Sequence, residues 1–199
     1  MEHNNRSWFA GALEAVLFAA GEPMAVAEIA SVLQLDKPQV WEMLAELKER
    51  CEAPESGLML REAAEGFQLV TKPEYYELLT RLGKTREVKL SNAAMETLAI
   101  IAFKQPVTRA EMEAIRGVKV DGVVNTLLDL GLITEAGRKK ALGNPILYAT
   151  TERFLTVFGL PSLKDLPAAE AAEAYAPEQQ SEQQLLLLPE DERQNGINA

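Results

Sequence analysis

The amino-acid sequence predicts a mainly α-helical fold with small β-hairpins, an α+β class, and three observations support this prediction. Apolar residues recur every three or four positions along much of the chain, which is the spacing of helices that bury one face. Short runs of β-forming residues, bounded by turn signals such as Glu65-Gly66, indicate two-stranded hairpins. The whole pattern then repeats within the chain, which predicts two copies of one module.

The clearest copy of the module lies between Leu98 and Ile133. Its first helix ends before Pro106, because proline cannot continue a helix. Its second helix begins with Thr108 and Glu111 in the spacing of a capping box, and its third ends at Gly131. This order of three helices followed by a strand is typical of a winged-helix domain. The residues predicted to face inward are Met95, Leu98, Ile101, Ala102, Met112, Ile115, Val120, Val123, Val124, Leu127, Leu128 and Leu130.

The same module occurs nearer the N-terminus. Pro23 and Pro106 are 83 positions apart (106 − 23), and apolar residues coincide at that offset for some 25 residues. The second hairpin strands, FQLVT and ILYAT, align at a smaller offset of 79 (150 − 71), so a loop absorbs the difference. We therefore predict tandem winged-helix domains. The third helix of the first copy is predicted to face inward through Val40, Trp41, Leu44 and Leu47.

This repeat predicts the division of the chain into segments. Residues 1–82 form an N-terminal winged-helix domain, residues 83–90 a polar connector, and residues 91–167 a C-terminal winged-helix domain. Residues 168–199 form an acidic tail rich in Ala, Glu, Gln and Pro, and we expect it to be disordered because such a composition cannot offset the entropy of ordering. Leu185–Leu188 is an apolar island within the tail.

The composition of the 199 residues excludes several classes of protein. A single cysteine, Cys51, permits no intrachain disulfide, which suits a reducing cytoplasm. No apolar run approaches the roughly 20 residues of a membrane helix, and the N-terminal residues lack the pattern of an export signal. The net charge of −10 argues against a chain that coats nucleic acid, because phosphate binding needs a basic surface. We expect a cytoplasmic protein without membrane contact.

The sequence also argues against an enzyme. The one histidine, His3, lies in the polar N-terminal stretch, so no histidine base can activate a nucleophile on a rigid element. Cys51 has neither a neighbouring base nor a second cysteine for a zinc site. Glu42, Glu46 and Glu49 have the helical spacing of a solvated face rather than of a catalytic pair. Glycine-rich phosphate-binding motifs are absent from the sequence. We expect no catalytic, cofactor or metal site.

A winged helix raises the hypothesis of DNA binding, which the third helix of each module tests, because that helix usually enters the major groove. In the second module its exposed face is predicted to carry Lys119, Asp121, Asn125, Thr126 and Asp129. Acidic residues would repel phosphate, and base reading needs an excess of Arg, Lys, Asn and Gln. The basic residues of the connector and of the second wing could touch a DNA backbone weakly, although solvated loops are the simpler interpretation. These basic residues are Lys84, Arg86, Lys89, Arg138, Lys139 and Lys140.

Longer motifs carry a family resemblance. The stretch LSNAAMETLAIIAFKQPVTRAEMEAIRGVKVDGVVNTLLDLGLI, the G-x-P-x-L-Y-x-T-T motif after it and FLTVFGLPSLKDLP closely resemble segregation and condensation protein B, ScpB. LEAVLFAAGEPMAVAEIASVL is similar to the first domain of that family, so the resemblance covers roughly Leu13 to Pro167. The chain departs from the family at Asn144, where arginine is usual before the proline. This removes a positive charge from the second wing.

The resemblance implies a function and a set of partners. Members of the ScpB family are tandem winged-helix proteins without enzymatic activity, and they form homodimers. They bind the kleisin ScpA and, through it, the SMC ATPase, to build the bacterial condensin that compacts and separates chromosomes. A cytoplasmic, nucleoid-associated location follows. Two other interpretations remain open, namely a winged-helix DNA-binding transcriptional regulator and an inert scaffold of another complex.

The contact residues are a separate hypothesis. We expect the first helix to form the homodimer, since an aromatic residue at a helix start often anchors an interface, although Trp8 and Phe9 could equally fold back on their own domain. We expect ScpA to bind the second domain from its wing into the closing helix, where a winged-helix core needs at least half of the candidates inside. The homodimer candidates are Trp8, Phe9, Leu13 and Leu17. The ScpA candidates are Arg138, Leu147, Tyr148, Phe154, Leu155 and Phe158.

Overall fold

The structure, a computed structural model, describes residues 6–82 and 90–167. His3, most of the predicted connector with its basic residues, and the predicted tail with its apolar island lie outside the described residues. The helices and strands below belong to one compact unit that extends to Asp165. Within the described residues, no helix is long and apolar enough to cross a membrane.

The first module contains three helices and a hairpin, followed by a short helical segment. Strands β1 and β2 pair antiparallel in a two-stranded sheet, from Leu58 opposite Thr71 to Ala63 opposite Gly66. A 3₁₀ turn at Pro73–Tyr75 leads into the last helix. The elements are α1 (Arg6–Ala20), α2 (Val26–Leu33), α3 (Lys37–Glu52), β1 (Leu58–Ala63), β2 (Gly66–Thr71) and α4 (Tyr76–Thr80).

The second module repeats this order. Its sheet has three antiparallel strands in the order β3-β5-β4, and the register between β4 and β5 shifts between Glu135 and Arg138. A closing helix and a 3₁₀ turn at Leu163–Asp165 follow. The elements are α5 (Asn92–Lys104), β3 (Val107–Thr108), α6 (Arg109–Arg116), α7 (Asp121–Asp129), β4 (Ile133–Arg138), β5 (Ile146–Thr150) and α8 (Glu152–Phe158). The predicted α+β class with tandem winged-helix modules is confirmed.

Local signals in the sequence set the helix starts. Asp36 accepts a hydrogen bond from the Gln39 amide while the Gln39 side chain accepts from the Asp36 amide, so the two residues form the capping box of α3. Thr108 and Glu111 form the same reciprocal pair at the start of α6. Gly117 ends α6 with φ of 72°, in the left-handed region that glycine adopts readily.

Each module closes its hairpin against the segment before its second helix. Met24 and Phe67 exchange backbone hydrogen bonds of 2.9 Å in an isolated bridge, and Val107 of β3 pairs with Tyr148 of β5. Met24 and Val107 are 83 positions apart (107 − 24), the offset of the helices. Their partners are 81 apart (148 − 67), two positions from the alignment that the sequence suggests. Because side chains alternate between the two faces of a strand, a shift in pairing by an even number of residues keeps the same face of the strand towards the core.

Each module has its own apolar core, which its helices and hairpin enclose. Three residues predicted to face inward are exposed instead, namely Met95, Trp41 and Ile115. Met95 and Trp41 each lie one residue, or about 100°, away from a buried stripe on their helices. Met112 is the only buried residue of α6, so this eight-residue helix contacts the core through a single turn. The fully buried large side chains are Leu13, Leu17, Ile29, Val40, Leu44, Leu98, Ile101, Met112, Val120, Val124, Leu127 and Tyr148.

Candidate protein-interaction surfaces

The closing helix α8 is attached to its own module at its first turn. Thr151 caps the helix by accepting a hydrogen bond from the Phe154 amide at 3.2 Å. The same hydroxyl donates to the Gly131 carbonyl at 2.7 Å, where α7 has just ended. The Phe154 ring is buried and packs 4.8 Å, centroid to centroid, from the Phe158 ring. Phe158 therefore presents a pre-positioned aromatic surface, which lowers the entropy cost of binding.

The structure divides the predicted ScpA residues into two sets. Tyr148 and Phe154 are buried, so their side chains belong to the core of the module and present no surface to a partner. Leu147 and Leu155 are half-buried, Arg138 is exposed, and 39% of Phe158 is exposed. The surface candidates are therefore Arg138, Leu147, Leu155 and Phe158. Sequence reasoning missed Val157 and Leu163, which also lie exposed in or after α8.

The basic residues of the second wing are partly engaged within the module. Arg138 donates through Nη1 to the Asn144 carbonyl at 3.0 Å and so closes the wing loop on itself. Lys139 forms an ion pair with Glu111 at 2.5 Å. That pair is the main reason that the pKa of Glu111 is lowered to about 2, and hydrogen bonds from Thr108 add to the effect. The wing thus offers a phosphate backbone less free positive charge than its sequence suggests.

A groove of about 530 Å³ lies between α6, α7 and the second hairpin. Arg109 extends into it and donates to Tyr148 Oη at 2.9 Å, to Asp121 at 2.6 Å and to Asn125 at 2.9 Å. Glu135 and other polar residues complete a lining of mixed charge. Asp121 and Asn125, on the exposed face of α7, are therefore hydrogen-bonded to Arg109 of the same module. This arrangement does not present the bidentate donors and acceptors that read base edges.

The first helix supplies the predicted homodimer residues. Leu13 and Leu17 are fully buried in the core of their own module, so their side chains are not available to a second copy. Trp8 is 45% exposed and packs edge-to-face on the half-buried Phe9, with ring centroids 5.1 Å apart. Phe18, which the sequence prediction omitted, is the most exposed aromatic side chain of α1 at 72%. Of the four predicted homodimer residues, only Trp8 and, in part, Phe9 thus contribute to the exposed surface of α1. Phe18 belongs to that surface as well.

The part of the chain that the structure describes contains no cluster of metal-binding side chains. Groups of three or more His, Cys, Asp or Glu placed to hold a metal ion do not occur in those ranges. Cys51 is buried, and burial raises the pKa of its thiol, so little thiolate forms near neutral pH.

Comparison with known proteins assigns the family. The family model described as "Segregation and condensation complex subunit ScpB" matches residues 11–169. The segregation and condensation protein B of Moorella thermoacetica is 52% identical over 159 residues, which cover 80% of this chain and 82% of that protein. The protein of the same name from Symbiobacterium thermophilum is 50% identical over 158 residues, covering 79% and 72% of the two chains.

A solved structure is similar in sequence to about a third of this chain. It is a crystal structure of a dimer of an ScpB N-terminal domain complexed with an ScpA peptide. This chain is 34% identical to it, with coverage of 37% of this chain and 91% of that one, and the TM-score is 0.36. The family assignment rests on the sequence matches, which span four fifths of the chain. The chain belongs to the ScpB family of segregation and condensation complex subunits.

Proposed function

We propose that this chain is a non-enzymatic subunit of the bacterial SMC–ScpA–ScpB condensin. In this role it binds the kleisin ScpA as a homodimer, contacts the SMC ATPase through ScpA, and supports chromosome condensation and segregation at the nucleoid, in the cytoplasm. The observation that carries the proposal is the family match across residues 11–169, which includes both winged-helix modules. We also propose the predicted boundaries, with domains at residues 1–82 and 91–167 and a connector between them.

The alternative of a DNA-reading regulator receives little support from the geometry. In the second module Arg109 of α6 donates hydrogen bonds to Asp121 and Asn125, so two of the α7 residues that would face a duplex are already engaged within the module. Lys139 is paired with an acidic residue. A net charge of −10 adds long-range repulsion between the chain and a phosphate backbone.

We propose that the first module forms the homodimer through the exposed part of α1, with Trp8 and Phe9 as the aromatic anchor. Aromatic residues in well-packed pockets carry much of the energy of interfaces. A solved ScpB N-terminal domain, 34% identical to part of this chain, is a dimer complexed with an ScpA peptide. The first module of this chain is thus expected to contribute to ScpA binding as well as to dimer formation.

We propose a second contact with ScpA on the second module, formed by Arg138, Leu147, Leu155 and Phe158. Leu155 and Phe158 lie three residues apart on α8, so they share a helix face. We expect an apolar side chain of a kleisin segment to cover this face, while Arg138, at the wing end of the hairpin, pairs with an acidic residue of the same segment. Such an arrangement has the apolar centre and polar rim of a protein interface.

The experiment is co-expression of this chain with affinity-tagged ScpA, followed by purification through the tag. Wild-type chain is expected to co-purify, and Phe158→Ala is expected to weaken recovery. Phe103→Ala is the control, because Phe103 is also 39% exposed but lies on α5, outside the proposed surface. Absence of the wild-type chain from the purified fraction would contradict the function. Equal recovery of both variants would contradict only the proposed surface.

A further inference from the structure

The turn of the first hairpin has an unusual backbone. Ala64 and Glu65 both have positive φ angles, of 48° and 57°. A two-residue hairpin turn of this kind favours Asn-Gly, because glycine adopts the left-handed region readily and asparagine tolerates it, whereas most other residues are disfavoured there. The turn here has alanine and glutamate instead. Such conformations persist where contacts with the surrounding structure hold the backbone in place.

The turn contacts the segment that follows α8 in the second module. The Ala64 amide donates to the Leu160 carbonyl at 2.9 Å, and the Glu65 amide donates to the Pro161 carbonyl at 2.8 Å. Both amides point away from their own hairpin, where a tight turn would leave them to solvent. Two consecutive backbone bonds of good length fix both the position and the orientation of one segment against the other.

Side chains extend the contact on the same side of the hairpin. The Arg61 side chain lies against Gly159, where an added Cβ would be 3.6 Å from its Cδ and Nη1 atoms. Arg61 donates to Gln68 Oε1 at 2.9 Å, and the buried Gln68 donates to the Gly21 carbonyl at 2.7 Å. The first module therefore holds Arg61 in place from behind. A flexible arginine on its own would not define a docking position.

The second module also holds its side of the contact in a fixed conformation. Gly159 ends α8 in the left-handed conformation, with φ of 64°. The Leu160 amide donates back to the Leu155 carbonyl at 2.9 Å, so the chain turns sharply at the helix end and its next carbonyls face the hairpin. Because Thr151 attaches the other end of α8 to its own module, α8 connects the contact to the body of the second module.

We propose that these two backbone bonds and the Arg61–Gly159 contact form an interdomain clasp, which holds the two winged-helix modules as one body in the free protein. The inference goes beyond the proposed function and does not depend on it. The contact is small, so it can open without unfolding either module. Because Leu155 and Phe158 lie directly before the clasp on α8, a partner bound there would act on the hairpin of the first module.

The direct test is amide hydrogen exchange, measured by NMR on the full wild-type chain without partners. The Ala64 and Glu65 amides are expected to exchange roughly tenfold or more slowly than unprotected amides. Leu142 and Gly143, in the loop of the second hairpin, are the internal reference, because within the described residues their amides donate no backbone hydrogen bond. Exchange of Ala64 and Glu65 as fast as that of Leu142 and Gly143 would overturn the clasp.

A substitution and a chemical cross-link test the same contact in two further ways. Arg61→Ala is expected to raise exchange at Ala64 and Glu65 selectively, whereas Arg138→Ala, which alters the second hairpin, is expected to leave both amides protected. In a separate chain that carries Glu65→Cys and Pro161→Cys, a short bis-maleimide is expected to join the two sites within one molecule. Unchanged protection in Arg61→Ala would remove Arg61 from the clasp, and a folded double-cysteine chain that fails to cross-link would contradict the clasp itself.

Discussion

The Arg109 guanidinium lies over the Tyr148 ring, with Cζ 5.5 Å from the ring centroid, and its Nε donates to the Tyr148 hydroxyl at 2.9 Å. The tyrosine belongs to β5 and is buried, whereas the arginine begins α6 and also reaches Asp121 on α7. One arginine thus joins a strand and two helices of the second module. Side chains of α6 and α7 that could contact a DNA groove are therefore hydrogen-bonded within the module.

The first prediction concerns the Arg109–Tyr148 contact. Tyr148→Phe keeps the ring in the core but removes the acceptor of Arg109, so the free energy of unfolding is expected to fall by about 1 kcal/mol. Arg109→Ala is expected to cost about 1–2 kcal/mol, since it also removes a charged hydrogen bond and the cation–π contact. Urea denaturation of both variants and of the double variant measures the coupling between them.

The control for this cycle is Tyr76→Phe, which removes the hydroxyl of an exposed tyrosine on α4. It is expected to change the free energy of unfolding by less than about 0.5 kcal/mol. Additive effects of Arg109→Ala and Tyr148→Phe would show that the two side chains do not interact in solution.

The second prediction concerns the pH dependence of stability at the capping box of α6. The pKa of Glu111 is about 2 in the folded chain, below its ordinary value of 4.5, mainly because Lys139 stabilises the carboxylate. The stabilisation is therefore fully present above pH 4.5 and is lost as the pH falls from about 4.5 towards 2. Both side chains are nearly half exposed, so solvent screening keeps the effect below about 1 kcal/mol.

Glu111→Gln tests this dependence, because glutamine keeps an acceptor for the capping box but does not titrate. Urea unfolding at pH 6 and pH 3 is expected to show a smaller loss of stability for Glu111→Gln than for the wild type. Lys139→Met is also expected to lose less stability between pH 6 and pH 3 than the wild type. Lys140→Met is the control and is expected to lose as much as the wild type, because Lys139 is the lysine paired with Glu111. An identical loss of stability in wild type and Glu111→Gln would show that Glu111 has an ordinary pKa.

The third prediction concerns Gly66, where β2 begins. A Cβ at this position would lie 2.7 Å from the backbone carbon and oxygen of Met24, and backbone atoms cannot move aside easily. Gly66→Ala is expected to lower the free energy of unfolding by roughly 1–3 kcal/mol, because it separates the hairpin from the Met24 bridge. Thermal unfolding followed by circular dichroism gives the change in melting temperature.

Gly122→Ala is the matched control for Gly66→Ala. Gly122 lies in α7, and an added Cβ would meet no atom within 4 Å. Alanine is the better helix residue, so this variant is expected to gain about 0.5–1 kcal/mol. A loss of stability in Gly122→Ala similar to that in Gly66→Ala would remove the close approach to Met24 as the explanation.

The fourth prediction concerns the homodimer. Trp8→Ala is expected to raise the dissociation constant of the dimer roughly tenfold or more, since a buried interface tryptophan is often a hot spot. Trp41→Ala is the control, because Trp41 is exposed to a similar degree, 51% against 45%, but lies on α3 against Phe67. Analytical ultracentrifugation over a range of concentrations measures both. Equal dimer affinities for the two variants would place Trp8 outside the interface.

The parts of the fold that sequence predicted well are those that depend on neighbours three or four residues apart. The capping box at Thr108 is local, because donor and acceptor lie within one helical turn. Helix periodicity identified the buried stripes but assigned residues at their margin wrongly. Trp41 and Met95 are apolar, and nothing in their spacing alone separates the edge of a buried stripe from an exposed position.

Contacts between distant segments could not be predicted in the same way. The bridge from Met24 to Phe67 and the clasp from Ala64 to Leu160 are backbone hydrogen bonds, which leave no side-chain signature in the sequence. The burial of individual side chains in the candidate interface could not be predicted from the sequence either. Tyr148 and Phe158 are both aromatic, yet one fills the core and the other is partly exposed, because an apolar residue suits both environments.

The absolute mass of this chain, alone and after co-expression with ScpA, decides whether it is a homodimeric kleisin-binding subunit, and size exclusion with light scattering measures it. We expect twice the chain mass of 21.9 kDa for the isolated protein. With ScpA we expect a single heavier species that contains both proteins. A mass of one chain in isolation, together with separate elution of the two co-expressed proteins, would contradict both expectations.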